Sequence, residues 1–92
     1  VYRLDEEDQI LKAANDTPYG LAAYLYTRDI GRVHRMTEGL EYGMVGVNAP
    51  MVGSPATPFG GVKESGIGRE GGKWGVEEFT EMKFVLLSGL DQ

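Results

Sequence analysis

Ninety-two residues, 41% of them hydrophobic and 25% charged, have the composition of a globular chain rather than a disordered one. At this length an independent core buries only about 60–65% of the unfolded surface. Nine basic against 14 acidic residues give a net charge of −5, which argues against a nucleic-acid backbone as partner. No apolar run approaches the roughly 20 residues of a membrane helix. Cysteine is absent, which removes disulfides, thiolate metal sites and thiol nucleophiles from the chain. Glycine is the anomaly: 14 residues, about twice the usual roughly 7%.

Val1-Tyr2-Arg3-Leu4 reads as a strand already under way, so the chain is expected to be a piece of a longer protein. Asp5 is placed to cap a helix, with Glu6, Glu7 and Asp8 on its first turn, where the helix dipole favours negative charge. Ile10, Leu11, Ala13 and Ala14 supply its apolar face, and residues 15–20 break it with turn formers. Residues 21–27 are apolar on both faces apart from tyrosine hydroxyls, the signature of a covered interior strand. Asp29 then caps a second helix, predicted through Glu41, with Ile30, Val33, Met36 or Thr37, and Leu40 at helical spacing. Gly43 is predicted to stop it, and residues 44–48 form another strand. Strand, helix, strand predicts a βαβ unit with parallel strands. The fold class is α/β.

Regularity disappears from residue 49 to residue 73, which hold three of the four prolines and seven of the glycines. A loop of about 25 residues is uncommon in compact domains and tends to be functional. A helix is expected over residues 74–82, with Val76, Phe79 and Met82 inward, then an apolar strand over residues 83–88.

Gly66-Ile67-Gly68-Arg69-Glu70-Gly71 matches GxGxxG, but a dinucleotide fingerprint needs a strand directly before it and a helix opening within it. The favoured reading is left-handed turns and close backbone packing. A P-loop fails, because Trp74 follows Lys73 where Ser or Thr is required. His34, the single histidine, lies on a helix beside Arg32 and Arg35 and reads as a solvated surface residue. Arg69 and Glu70 read as an ion pair fixing the glycine loop in preference to a catalytic pair. Phe59, between Pro58 and two glycines, fits a pocket wall and simple core packing equally.

Three blocks together say more. Asn15-Asp16-Thr17-Pro18-Tyr19-Gly20-Leu21-Ala22-Ala23, then Gly43-Met44-Val45-Gly46-Val47-Asn48, then the fourteen residues from Pro58 to Gly71 resemble the C-terminal part of the NAD(P)-dependent aldehyde dehydrogenases. Residues 40–48, with Gly72-Lys73-Trp74-Gly75 and residues 84–90, look most like the succinate-semialdehyde branch. The resemblance implies a parent enzyme, expected to be cytoplasmic, that oxidises an aldehyde substrate to its acid with NAD or NADP. In that family a cysteine thiolate attacks the aldehyde and hydride passes to the cofactor.

The resemblance also sorts the chain's residues. It assigns residues 1–82 to the catalytic domain and residues 83–92 to an oligomerisation strand, so that Phe84, Val85, Leu86 and Leu87 would join the subunits of a homodimer or tetramer. Phe59 matches the aromatic lining the substrate tunnel, and Leu21 a leucine near the nicotinamide end of the cofactor. Residues 49–57 match the substrate-facing loop. Where the semialdehyde branch has a serine for the substrate's distal carboxylate, this chain has Gly53, with Ser54 adjacent. No catalytic residue and no metal ligand is assigned, so the chain alone is expected to be inactive. The competing expectation is a truncated, non-catalytic domain that acts as an interaction module.

Overall fold

The computed structural model describes residues 1–91. Its first helix, α1 (Glu7–Asn15), begins after Glu6, which is the N-cap and accepts no side-chain capping bond. Asp5 therefore caps nothing; Glu7 and Asp8 complement the dipole instead. The Asn15 side chain closes the other end. Its Nδ2 donates to the Gly39 carbonyl (2.9 Å) and its Oδ1 accepts from the Glu41 amide (2.8 Å). The Tyr42 hydroxyl adds a bond to the Ala14 carbonyl, so the C-terminal ends of α1 and the second helix are tied together.

That second helix, α2 (Ile30–Gly39), opens as the sequence predicts: the Asp29 carboxylate accepts from the amides of Gly31 and Arg32. It ends earlier than predicted, at Gly39, with Leu40 extended as its C-cap. Gly43 is not the stop. Its part is steric, since a Cβ there would lie 2.0 Å from the Gly60 carbonyl oxygen.

Across the helix pair, Glu7 accepts from Arg32 Nε (3.1 Å) and from Arg35 Nε (2.6 Å) and Nη2 (3.0 Å). The Arg35 guanidinium, helped by Arg32, lowers the Glu7 pKa from its ordinary 4.5 to about 2. A carboxylate with a depressed native pKa stabilises the fold fully above its unfolded pKa, and that contribution is lost as pH falls through the native value. Glu7→Gln should therefore melt below the parent at neutral pH, and the two curves should converge between pH 4.5 and about 2. A gap that stays constant across that acid window would show that Glu7 acts only through packing.

α2 crosses between two parallel strands, β2 (Ala22–Leu25) and β3 (Met44–Val47), paired from Ala22 opposite Met44 to Leu25 opposite Val47. This is the predicted βαβ unit. Asn48 seals its far end: at φ 53°, its amide group both donates to and accepts from the backbone of Thr27, each at 2.9 Å. Asparagine tolerates that left-handed backbone better than most residues. The core under the unit is Met36, Leu40 and Met44. Ile30, expected inward, is exposed at the first position of α2.

Two short strands escape the sequence pattern. β1 (Tyr19–Gly20) lies where turn residues were read, and it pairs antiparallel with β4 (Val62–Lys63), inside the supposedly irregular stretch. A ladder of two residues carries no periodicity to detect. Leu21 is the bend between β1 and β2, so the interior strand is shorter than the predicted residues 21–27. Leu21 and Tyr24 are exposed rather than covered.

The C-terminal third departs further from expectation. The last helix, α3, spans only Trp74–Glu77, and Val76, Phe79 and Met82, expected inward, are exposed. Residues 1–4 and 83–88 lie in no strand. Apolar spacing marks the face that a segment would bury once covered, and here that face is open. The accessible surface is 7800 Å², against about 5,300 Å² for a compact chain of this mass. The radius of gyration is 19.3 Å, against about 12 Å for a compact fold of this length. Among the described residues no helix is long and apolar enough to cross a membrane.

Candidate functional site

The long glycine-rich stretch is a doubled-back strap rather than a free loop. Gly72 N donates to the Pro55 carbonyl (2.9 Å), and Phe59 and Glu70 exchange backbone bonds at 2.7 and 2.8 Å. Beyond them β4 turns through bonds from Ser65 N to Val62 O and from Gly66 N to Lys63 O. The glycines of the GxGxxG run permit the return: Gly66, Gly68 and Gly71 have φ of 114°, 93° and 79°. No helix opens within the run, since α3 starts only at Trp74. The fingerprint is therefore a set of backbone hinges, as its context implies.

Two side chains anchor the strap to α1, to β1 and to Glu41 ahead of β3. Ser65 Oγ accepts from the Gly20 amide at 2.8 Å. Lys63 Nζ donates to the Asn15 and Thr17 carbonyls and pairs with Glu41 at 2.9 Å. A third, Arg69, ties the strap to itself: its Nη1 donates to the carbonyls of Gly61 and Gly68, both at 2.8 Å. The expected Arg69–Glu70 ion pair is not formed among the described residues. Glu70 instead serves through its backbone, opposite Phe59.

Between the strap, the β1–β2 bend and the start of the C-terminal segment lies a cleft of about 850 Å³, walled by Leu21, Phe59, Ser65, Ile67, Arg69 and Phe79 among others. Two of the four residues nominated from the sequence, Leu21 and Phe59, thus meet here, 41% and 42% exposed. Gly53 and Ser54 do not join them. They line a separate depression of about 320 Å³ with Val52, Thr57 and Pro58. Pro58 and Phe59, neighbours in the chain, face one hollow each. Ser65, Ile67 and Phe79 were missed. Ile67, an apolar residue held between two glycines with its side chain open to solvent, carried the one detectable signal.

Chemically the cleft is lined mostly by apolar atoms, with Ser65, Arg69, Glu70, Glu78 and Thr80 bringing polar groups. It can seat and orient a small apolar or amphipathic molecule, and its wall holds no thiol or imidazole. His34 is exposed on α2, away from it. Among the described residues no cluster suits a metal ion.

The family model described as the aldehyde dehydrogenase family matches residues 1–85. The chain belongs to the aldehyde dehydrogenase family. A succinate semialdehyde dehydrogenase of Acinetobacter baylyi is 53% identical over 90 residues, 98% of this chain and 19% of that protein. A 3-sulfolactaldehyde dehydrogenase of Pseudomonas putida is 52% identical over 92 residues, 100% of this chain and 19% of that protein. The crystal structure of a succinate-semialdehyde dehydrogenase from Burkholderia pseudomallei superposes with a TM-score of 0.83 at 54% identity, covering 85% of this chain and 16% of that one. This aldehyde dehydrogenase chain thus spans about a fifth of the length of the curated relatives it matches. As an α/β segment of that family it agrees in class with the βαβ unit read from its sequence.

Proposed function

We propose that this chain forms one wall of the aldehyde site in an enzyme that oxidises an aldehyde to its carboxylic acid with NAD or NADP. The observation that carries the reading is the meeting of Leu21 and Phe59, 38 positions apart in the chain, on one apolar cleft. A separate interaction module is not favoured, because the match to oxidising enzymes runs through nearly the whole chain.

In this reading Phe59 packs against the substrate's carbon chain. Its stiff neighbour Pro58 and its paired backbone hold the ring to the cleft side. Leu21, half-exposed at the β1–β2 bend, offers an apolar surface to the reactive end of the cofactor and no hydrogen bond, so its contribution is to packing. The cofactor, when bound, accepts the hydride. The substrate class is an aldehyde with a distal acidic group, as the names of the succinate semialdehyde and 3-sulfolactaldehyde relatives suggest. Ser54 lines the neighbouring depression and not the cleft, so a distal group would have to extend past Phe59 to the Pro58 side to reach it. Its Oγ accepts from the Ala56 amide at 3.3 Å, which leaves its proton to be donated. Phe84, Val85, Leu86 and Leu87 pair with a second copy of the enzyme.

The test is Phe59→Ala in the full-length enzyme. The ratio of kcat/KM between longer and shorter aldehydes should shift by about tenfold, roughly 1.4 kcal/mol of lost contact. The stability loss should fall short of the about 3–5 kcal/mol of a core phenylalanine, because the ring is 42% exposed. An unchanged substrate profile with a large fall in melting temperature would make Phe59 a packing residue only.

A further inference from the structure

Arg69 is buried deeper than a surface arginine and uses its charge on no carboxylate among the described residues. Its Nη1 bridges two carbonyls, Gly61 on the outgoing arm of the strap and Gly68 on the returning arm. Phe59 sits two residues before Gly61. Between them, Gly60 packs so closely that a Cβ would meet the Gly68 carbonyl oxygen at 2.4 Å and Arg69 Cδ at 2.7 Å. No side chain at position 60 can therefore brace this part of the strap. Backbone that follows an aromatic with two glycines has wide freedom, and the arginine clamp removes it. Charged donors make stronger bonds to carbonyls than neutral ones do, and the planar guanidinium fixes direction as well as distance.

We propose that Arg69 is a positioning residue for the aldehyde: by clamping Gly61 to Gly68 it holds the Phe59 ring in the cleft wall. This rests on the reading of Phe59 as substrate-facing. Arg69 also lines the cleft, but its Nη1 is taken up by the two carbonyls. In this proposal it acts on the substrate through Phe59, so its effect on binding disappears when the ring is gone.

The experiment is a cycle in the full-length enzyme of Arg69→Met, Phe59→Ala and the double variant, with KM and kcat measured for one long aldehyde. Arg69→Met should raise KM about tenfold with kcat changed by no more than about twofold, the pattern of lost uniform binding. Arg69→Lys, which keeps the charge and can reach one carbonyl, should recover part of the loss. In the Phe59→Ala background Arg69→Met should leave KM unchanged. KM does not depend on the fraction of enzyme that is active, so partial misfolding does not obscure the comparison. If the methionine variant yields no folded enzyme, the lysine variant in both backgrounds carries it. An equal rise in KM with and without the Phe59 ring, or no rise in either, overturns the proposal and leaves Phe59 as read. A Phe59→Ala enzyme with parental KM overturns the reading of Phe59, and the role of Arg69 with it.

Discussion

Gly43→Ala should cost about 3 kcal/mol of stability, the upper end of what overpacking a filled site costs. Gly43 sits just ahead of β3, and its amide donates to the Gly20 carbonyl at 3.0 Å. The strap crosses directly over it. A Cβ would stand 2.0 Å from Gly60 O, 2.8 Å from Gly60 C and 2.7 Å from Gly61 Cα. All three are backbone atoms, so no rotamer change can make room. The strap would have to lift, and Gly60, Gly61 and the arm carrying Phe59 would move with it. Gly53→Ala is the matched control, because its Cβ meets nothing within 4 Å and should cost no more than about 0.5 kcal/mol. Denaturant unfolding of the two variants beside the parent measures both. Equal midpoints would mean that the strap does not rest on Gly43.

The contrast between those two glycines shows what was legible in the sequence. Local rules acted through neighbouring residues and could be read: the Asp29 cap bonds amides two and three positions on, and the alternation of strand, helix and strand implied parallel pairing of β2 with β3. Gly43 invited a local reading too, as a helix stop, but its reason lies in Gly60, which only the folded chain brings near. The same holds for Arg69. Its neighbour Glu70 suggested an ion pair, whereas its bonds go to Gly61 and Gly68 carbonyls, and backbone acceptors leave no mark in a sequence. Leu21 and Phe59 were found through motif resemblance, and their meeting in one cleft depends on the two-residue β1–β4 ladder, which was unreadable. The inward face expected of residues 74–82 is not formed: the helix is four residues long, and Val76, Phe79 and Met82 are exposed.

That uncovered segment makes the second large effect. Phe84, Val85, Leu86 and Leu87 are 86%, 63%, 78% and 69% exposed, four consecutive apolar side chains whose backbone has no ladder. In the proposed assembly this segment becomes a strand by pairing with another chain, as unpaired backbone edges do, and burying even one of its faces is worth several kcal/mol at roughly 25 cal/mol per Å². Successive side chains on a strand point to opposite faces, so Val85 and Leu87 share one face of it and Phe84 and Leu86 the other. Val85→Lys with Leu87→Lys places two ammonium groups on a single face, where pairing with a second copy would have to desolvate both. If the full-length parent assembles through this segment as proposed, eluting as a dimer or tetramer, the double variant should elute as monomer or as aggregate, and its melting temperature should fall with the lost interface. Ser88→Lys, one position beyond the apolar run, should leave the assembly intact. If the double variant keeps the parental mass and melting temperature, the segment lies against its own subunit, and the oligomer is held together elsewhere.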